Sequence, residues 1–262
     1  MGIKVSAMVV GRNEANKLDA CLKSLSFCDE ILYGDLNSSD NSISIASKHN
    51  CKIFEFKTFG PAGEYTHSEL IKYISNDWVI FIDPDEVIDN ALAIELQCLL
   101  PVIDNDQKIG SVSVPWQFYF GKLRLKGTVW GYNKFKEVIA NKKKFDFFPI
   151  THYGRRLKPG FQTYTVINTS NNVLHHYWMD DIKSFIKKHK KYLKDEGKDK
   201  YNLGQRTSII RILLSFFYQF FFCFIMKKGY RDGFVGFFLS VFWTWYTTSS
   251  YISLYQTTLK AK

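Results

Sequence analysis

Three carboxylates fall within four residues at Asp83-Pro84-Asp85-Glu86, directly after the apolar run Trp78 to Ile82. Asp83 and Asp85 offer hard oxygen ligands one residue apart, a set that suits Mg2+ or Mn2+, and such an ion grips a diphosphate. Two more polar clusters follow earlier apolar runs: Arg12-Asn13-Glu14 after Ile3 to Val10, and Asp35 to Asp40 after Ile31 to Tyr33. A carboxylate in the second of these places accepts hydrogen bonds from a ribose or a base. The chain has no Gly-x-Gly-x-x-Gly and no Gly-x-x-x-x-Gly-Lys, so it lacks the glycine loops that cradle phosphates in dinucleotide-binding and P-loop proteins. Holding phosphates would then fall to a metal at Asp83 and Asp85. The plainer alternative is an acidic strand-to-helix turn with Asp85 or Glu86 near a helix N-cap.

These clusters need a sheet to bring them together. Trp78 to Ile82 is short, unbroken and rich in β-branched and aromatic residues, which predicts a strand buried on both faces. Pro84 lacks an N–H, so the ladder should stop there and present Asp83 and Asp85 at the strand's carboxyl end. Ile3 to Val10, Ile31 to Tyr33 and Lys52 to Phe56 predict three more strands. Helical spacing of Leu18, Cys21, Leu22 and Leu25, a helix over 43–49 capped by Asp40 or Ser42, one over 62–75 and one over 87–100 stopped by Pro101 fill the intervals. Strands alternating with helices predict a parallel, Rossmann-like sheet. Open sheets of this kind bind ligands at the carboxyl ends of their strands.

The second half changes character. Residues 1–100 carry 8 Lys and Arg against 15 Asp and Glu, whereas residues 101–262 carry 27 against 10. A basic rear suggests nucleic acid, an anionic membrane or a phosphorylated substrate as a partner. Gly110 to Pro115 alternates like an edge strand, and Lys142-Lys143-Lys144 suggests a solvated turn. Asp181 to Lys194 is an amphipathic, lysine-rich helix, and Asp195 to Gly204 has the composition of a linker. Two uncharged segments follow, Ile212 to Met226 and Phe234 to Leu259. The first is about 22 Å long as a helix, short of the roughly 30 Å hydrocarbon core, and hydroxyl side chains dilute the second. The reading is of membrane-surface helices with basic residues toward anionic headgroups. A bilayer hairpin and a soluble helical or oligomer-forming subdomain are the alternatives. The five cysteines are odd in number and form no Cys-x-x-Cys, which fits reduced thiols in a cytoplasmic protein. No long apolar stretch opens the chain, so no secretory signal is expected.

Taken in order, Val9-Val10-Gly11-Arg12-Asn13-Glu14, Cys21-Leu22-Lys23-Ser24-Leu25, Cys28-Asp29-Glu30-Ile31, Gly34-Asp35 through Ser39-Asp40, and Asp77-Trp78 to Asp83-Pro84-Asp85-Glu86 resemble family 2 glycosyltransferases. The bacterial lipopolysaccharide-core and capsule type is the nearest likeness. It covers residues 3–90 and resumes at Leu174-His175-His176-Tyr177-Trp178 and Lys228-Gly229-Tyr230-Arg231-Asp232-Gly233. The resemblance implies a GT-A fold, expected over residues 1–178, and the composition of the rest suggests a helical, aromatic-rich, membrane-associating extension over 179–262. The resemblance also implies a nucleoside-diphosphate sugar donor, a UDP-sugar foremost, and inversion at the anomeric carbon. By position, Asp35 and Asp40 would contact the nucleoside, Val10, Arg12, Asn13 and Glu14 would line the nucleotide, and Asp83 and Asp85 would hold the diphosphate-bound Mg2+ or Mn2+. Asn37 stands where the family often has Gly. Gly63 to His67 carries no Arg where relatives often have one, and His152-Tyr153 replaces their His-Glu.

Inverting transfer needs a side chain to deprotonate the acceptor hydroxyl. Glu86, Glu137, Asp146 and His152 are the candidates. His176, with His175, is a candidate third metal ligand or a histidine packed at a strand end. Arg155, Arg156 and Lys158 could hold a pyrophosphate or lie in a solvated loop. The expected acceptor is a saccharide or lipid-linked glycan at the cytoplasmic face of the membrane, where the protein would be peripheral, with self-association as a further use of its C-terminal helices. The alternatives are a nucleotidyltransferase of similar topology and a non-catalytic membrane or nucleic-acid binding protein. No nucleic-acid motif is present, so nucleic acid is not an expected partner.

Overall fold

The computed structural model describes residues 3–56, 63–147 and 155–261, without the side chains of residues 63–65, 191 and 195. In chain order the first elements are β1 (Val5–Gly11), α1 (Ala15–Ser24), β2 (Glu30–Asp35), α2 (Ser42–Lys48), β3 (Lys52–Glu55), α3 (Gly63–Leu70), β4 (Trp78–Ile82), β5 (Glu86–Ile88) and α4 (Asn90–Asn105). Then come β6 (Ile109–Phe120), β7 (Leu123–Arg124), α5 (Thr128–Gly131), β8 (Phe135–Asn141), β9 (Phe145–Phe147), β10 (Arg155–Leu157), β11 (Gln162–Thr165) and β12 (Leu174–Met179). Three long helices close the chain: α6 (Ile182–Asn202), α7 (Ile209–Phe220), continued by a π-turn over Phe221–Met226, and α8 (Gly233–Lys260). The chain forms two compact units, one of residues 1–116 and 135–176, the other of 117–134 and 177–262.

The first unit is mixed α/β. β3, β2, β1 and β4 run parallel in that order, and β8 then pairs antiparallel with β4, with β6 beyond it. The alternation of strand side chains divides the core. Val5, Ala7 and Val9 of β1 and Trp78, Ile80 and Ile82 of β4 pack with Leu18, Leu22, Leu92 and Leu96 of α1 and α4. Met8, Val79 and Phe81 face the other way, against Leu70 at the end of α3. Each such aliphatic side chain contributes about 2 kcal/mol of burial free energy. The parallel block therefore stands where the apolar runs predict it.

Several local expectations are corrected. Glu86 caps no helix. It starts the short strand β5, and the helix begins after Asp89, whose carboxylate accepts from Ala91 N at 2.8 Å. Pro101 lies inside α4 rather than ending it. A proline this near the C-terminus removes one helical hydrogen bond, and its carbonyl still accepts from Asn105 Nδ2 at 2.9 Å. Gly110 to Pro115 belongs to an interior strand, because β8 pairs with this stretch on one side and β11 on the other. Residues 142–144 form the expected turn with Lys143 exposed, but its flanking lysines reach back into the unit, Lys142 Nζ to Ile74 O at 2.6 Å and Lys144 Nζ to Ile109 O at 2.6 Å.

The second unit is largely helical and aromatic. Trp130, Trp178, Phe185 and Phe242 meet there, with Trp130 and Trp178 ring centroids 5.0 Å apart and Phe185 and Phe242 4.3 Å apart. The carboxylate of Asp232 accepts from the backbone of Lys126 (2.7 Å) and Gly127 (2.8 Å). The polar stretch after Lys194 is helix, not linker. Glu196 pairs with Lys200 at 2.8 Å and accepts from Ser250 Oγ of α8 at 2.9 Å. Gly197 packs so closely on Ser253 that no side chain would fit. Tertiary contacts along one face thus hold a sequence that has little apolar periodicity of its own.

Candidate active site

β1, β2 and β4 end side by side in the first unit. Gly11 is level with Asp35 across β1 and β2, and Val9 is level with Ile82 across β1 and β4. The three polar turns therefore leave the sheet along one edge. Gly11 closes the gap between two of them, since a Cβ there would lie 2.6 Å from Cγ of Pro84. The glycine is required by that approach.

The turns after β1 and β2 are tied to each other. Asn13 has φ +57° and Asn37 φ +59°, left-handed conformations that asparagine tolerates better than most residues. Asn13 Oδ1 accepts from Ser39 N at 2.7 Å, and Asn13 N donates to Ser38 Oγ at 3.0 Å. Asp35 is buried and accepts from Ser38 N at 2.8 Å. Asp40 accepts from Ser42 Oγ (2.6 Å), Ser42 N (2.9 Å) and Ala15 N (3.0 Å). The Ser42 hydroxyl, followed by these backbone donors, holds its carboxyl below the usual range. Arg12 is exposed, while Glu14 and the Val10 side chain are half-buried.

Around the third turn the tertiary structure assembles groups from distant parts of the sequence. Lys136 of β8 donates to Asp83 Oδ2 at 2.8 Å and to Glu86 Oε2 at 2.6 Å. Glu86 is fully buried. Its Oε2 also accepts from Asp83 N at 2.9 Å, and its Oε1 accepts from Trp116 Nε1 at 2.8 Å. Desolvation pushes the Glu86 carboxyl up and, with the nearby Asp83 charge, outweighs the pull of Lys136. For Asp83 the balance reverses: desolvation raises it, but the charge and hydrogen bond of Lys136 prevail and hold it at about 2. Desolvation lowers Lys136, and the two carboxylates overcome that to raise it.

Asp85 turns the other way, with Oδ2 3.4 Å from His176 Nε2. The imidazole of His176 lies flat on the Trp116 ring. His175, its neighbour, points to Asp89, 3.3 Å away. Asp85 and His176 form an oxygen and nitrogen pair suited to Mn2+. Asp83 is near but is engaged by Lys136. No cluster of three His, Cys, Asp or Glu able to hold a metal occurs among the described residues. An ion held by one or two side chains and completed by substrate phosphates needs no such cage.

The remaining base candidates are dispersed. Glu137 accepts from Ser111 Oγ at 2.8 Å, with Arg155 Nε 3.7 Å away. Arg155 also lies over the Phe81 ring, 4.3 Å from its centroid. Asp146 is half exposed, 3.8 Å from Lys158 Nζ. His152 falls outside the described residues. Lys136 and Trp116 escape sequence reasoning altogether, since neither type nor spacing separates them from the other basic and aromatic residues of the second half.

The chain is similar to proteins named as uncharacterized glycosyltransferases. One from Rickettsia bellii is 25% identical over 89% of this chain and 80% of its own length. One from Rickettsia felis is 23% identical over 99% and 92%. No protein-family model matches. Among solved structures, S. aureus TarS aligns with a TM-score of 0.49 and 13% identity, over 88% of this chain and 46% of TarS. The glucosyl-3-phosphoglycerate synthase of Mycobacterium tuberculosis, solved with Mn2+ and uridine-diphosphate-glucose, aligns with a TM-score of 0.37 and 19% identity over 44% of each chain. These curated relatives carry the name of the class that the motifs of this chain resemble.

Proposed function

We propose that the protein is an inverting, metal-dependent glycosyltransferase that moves a sugar from a nucleoside-diphosphate sugar, a UDP-sugar foremost, to a saccharide or lipid-linked glycan. Lipopolysaccharide core and capsule are the acceptor classes in view, at the cytoplasmic face of a membrane. The observation that carries this reading is the approach of Asp85 to His176, 3.4 Å apart, at the strand edge shared with Asp35 and Asn13. Asp85 and His176 would hold Mg2+ or Mn2+, with Asp83 alongside. A bound ion supplies positive charge to the departing nucleoside diphosphate. Asp35 and the Arg12 to Glu14 turn flank the place for the nucleoside. Glu86 has both carboxylate oxygens committed to hydrogen bonds, so it positions Asp83, Lys136 and Trp116 rather than taking a proton. Glu137, Asp146 and His152 are the bases to test.

The test is a thermal-shift screen of the full chain with nucleoside-diphosphate sugars, with and without MnCl2. A donor that shifts the melting temperature only with Mn2+, and not in Asp85→Asn/His176→Ala, supports the reading. A Mn2+-dependent shift unchanged in that double variant overturns the metal assignment, and no shift with any donor overturns donor binding. Turnover that releases pyrophosphate rather than nucleoside diphosphate would identify a nucleotidyltransferase.

A further inference from the structure

α7 is folded inside out. Its buried positions are small or polar: Ser215 and, in the following π-turn, Cys223 are buried, and Gln219 between them accepts from Trp243 Nε1 of α8 at 3.0 Å. Most of its large apolar side chains point outward, while Ile212 and Phe220 are half-buried. Ile210 is 71% exposed, Leu214 65% and Phe217 75%, and Leu213 and Phe221 share that face. A helix of a water-soluble protein turns its apolar stripe inward. Small and hydroxyl residues at a helix contact, with large apolar ones outside, are the pattern of helices that meet lipid. On α8, Ser240 Oγ donates to Gly236 O and Thr244 Oγ1 to Ser240 O, so these hydroxyls are satisfied within their own helix.

The charges around this face are of one sign. No Asp or Glu occurs between Asp199 and Asp232. Arg206 and Arg211 stand at one end of the apolar stretch, and Lys227, Lys228 and Arg231 at the other. Each end thus pairs cations with aromatic rings. Arg211 lies 5.5 Å from the Tyr251 centroid, and Lys227 and Lys228 lie 5.4 and 5.3 Å from that of Tyr132. Aromatic rings beside cations suit the headgroup layer. α8, against which α7 packs, also holds the charged helix α6 through Glu196 and Ser250. A bundle with one water-loving helix cannot be sheathed in lipid, so its apolar face fits a surface rather than a span.

We propose that the outward face of α7 and its π-turn, bounded by Arg206, Arg211, Lys227, Lys228 and Arg231, docks on an anionic lipid bilayer and lies in its headgroup boundary. This deepens the reading of a membrane-located acceptor by naming the docking surface. It requires neither a particular donor nor a metal.

The test uses the full chain and vesicles of phosphatidylcholine alone or with phosphatidylglycerol. Co-flotation should be strong with phosphatidylglycerol and weak without it. Leu213→Glu/Phe217→Glu should abolish it, and Lys227→Gln/Lys228→Gln should weaken the phosphatidylglycerol-dependent part by about thirtyfold. Both variants should keep the parent's circular dichroism and any donor-induced thermal shift, which separates loss of docking from loss of donor binding. No flotation with either vesicle, or flotation unchanged in Leu213→Glu/Phe217→Glu, overturns the proposal. So does a lipid-free dimer, seen by light scattering, that this variant dissociates while leaving flotation intact.

Discussion

The Trp116 indole lies flat on the imidazole of His176, with ring centroids 5.0 Å apart and planes 8° from parallel. Its Nε1–H is spent on Glu86 at 2.8 Å, so the ring cannot turn without breaking that bond. Groups that orient a metal ligand typically cost 10–100-fold in metal affinity when removed. Trp116→Phe keeps a ring but drops the hydrogen bond, and it should weaken Mn2+ binding by about tenfold. Trp116→Ala should weaken it further. Calorimetric titration of MnCl2 in the presence of nucleoside diphosphate measures both, and equal affinities across the three proteins would show that Trp116 does not orient His176.

Lys136 neutralises two carboxylates at once. Lys136→Met leaves Glu86 buried and uncompensated, which should cost about 3–5 kcal/mol of stability. Adding Glu86→Gln removes that charge and should recover much of the loss. Urea unfolding of the single and double variants reads the effect. If the double variant is no more stable than Lys136→Met, the penalty does not come from the Glu86 charge.

Glu30 provides a pH dependence away from the candidate site. Desolvation opposes its ionisation, but Lys52, Ser6 and Ser75 together outweigh it and lower the carboxyl from 4.5 to about 2. A depressed acid stabilises the fold above its unfolded value, and the contribution is lost as pH falls through its folded value. Stability should therefore drop as pH falls from 4.5 toward 2. Glu30→Gln should be less stable than the parent at pH 7 and show a shallower slope in that window. Denaturant unfolding at a series of pH values decides it, with an unchanged slope counting against the assignment.

Gly11 is held by the ring of Pro84. Gly11→Ala would set a methyl 2.6 Å from Pro84 Cγ, and a rigid ring yields little. Overpacking of this kind costs about 1–3 kcal/mol. Because Pro84 lies between Asp83 and Asp85, donor affinity should fall as well. Thermal melts and donor titration of the variant measure the two effects, and a neutral result in both would mean that the turn shifts freely.

The parallel block was legible because its signals are local. An apolar run of strand length, a proline that stops the ladder and a carboxylate beside it are all contained in Trp78 to Glu86, and the same logic holds for the turns at Arg12 and Asp35. Asn37 follows the same rule, since its backbone adopts the left-handed geometry that its side chain tolerates.

Local signals misled where a partner from elsewhere set the outcome. Pro101 did not end its helix, Gly110 to Pro115 was not an edge, and the polar residues after Lys194 became helix against α8. The sequence by itself determined the βα alternation and the acidic edge of the sheet, through periodicity and backbone chemistry within short windows. Only the tertiary structure brought Lys136, Trp116 and His176 to that edge and turned the large side chains of α7 outward. Those outcomes depend on strand pairing and helix contacts between residues far apart in the chain, for which no short window carries a signal.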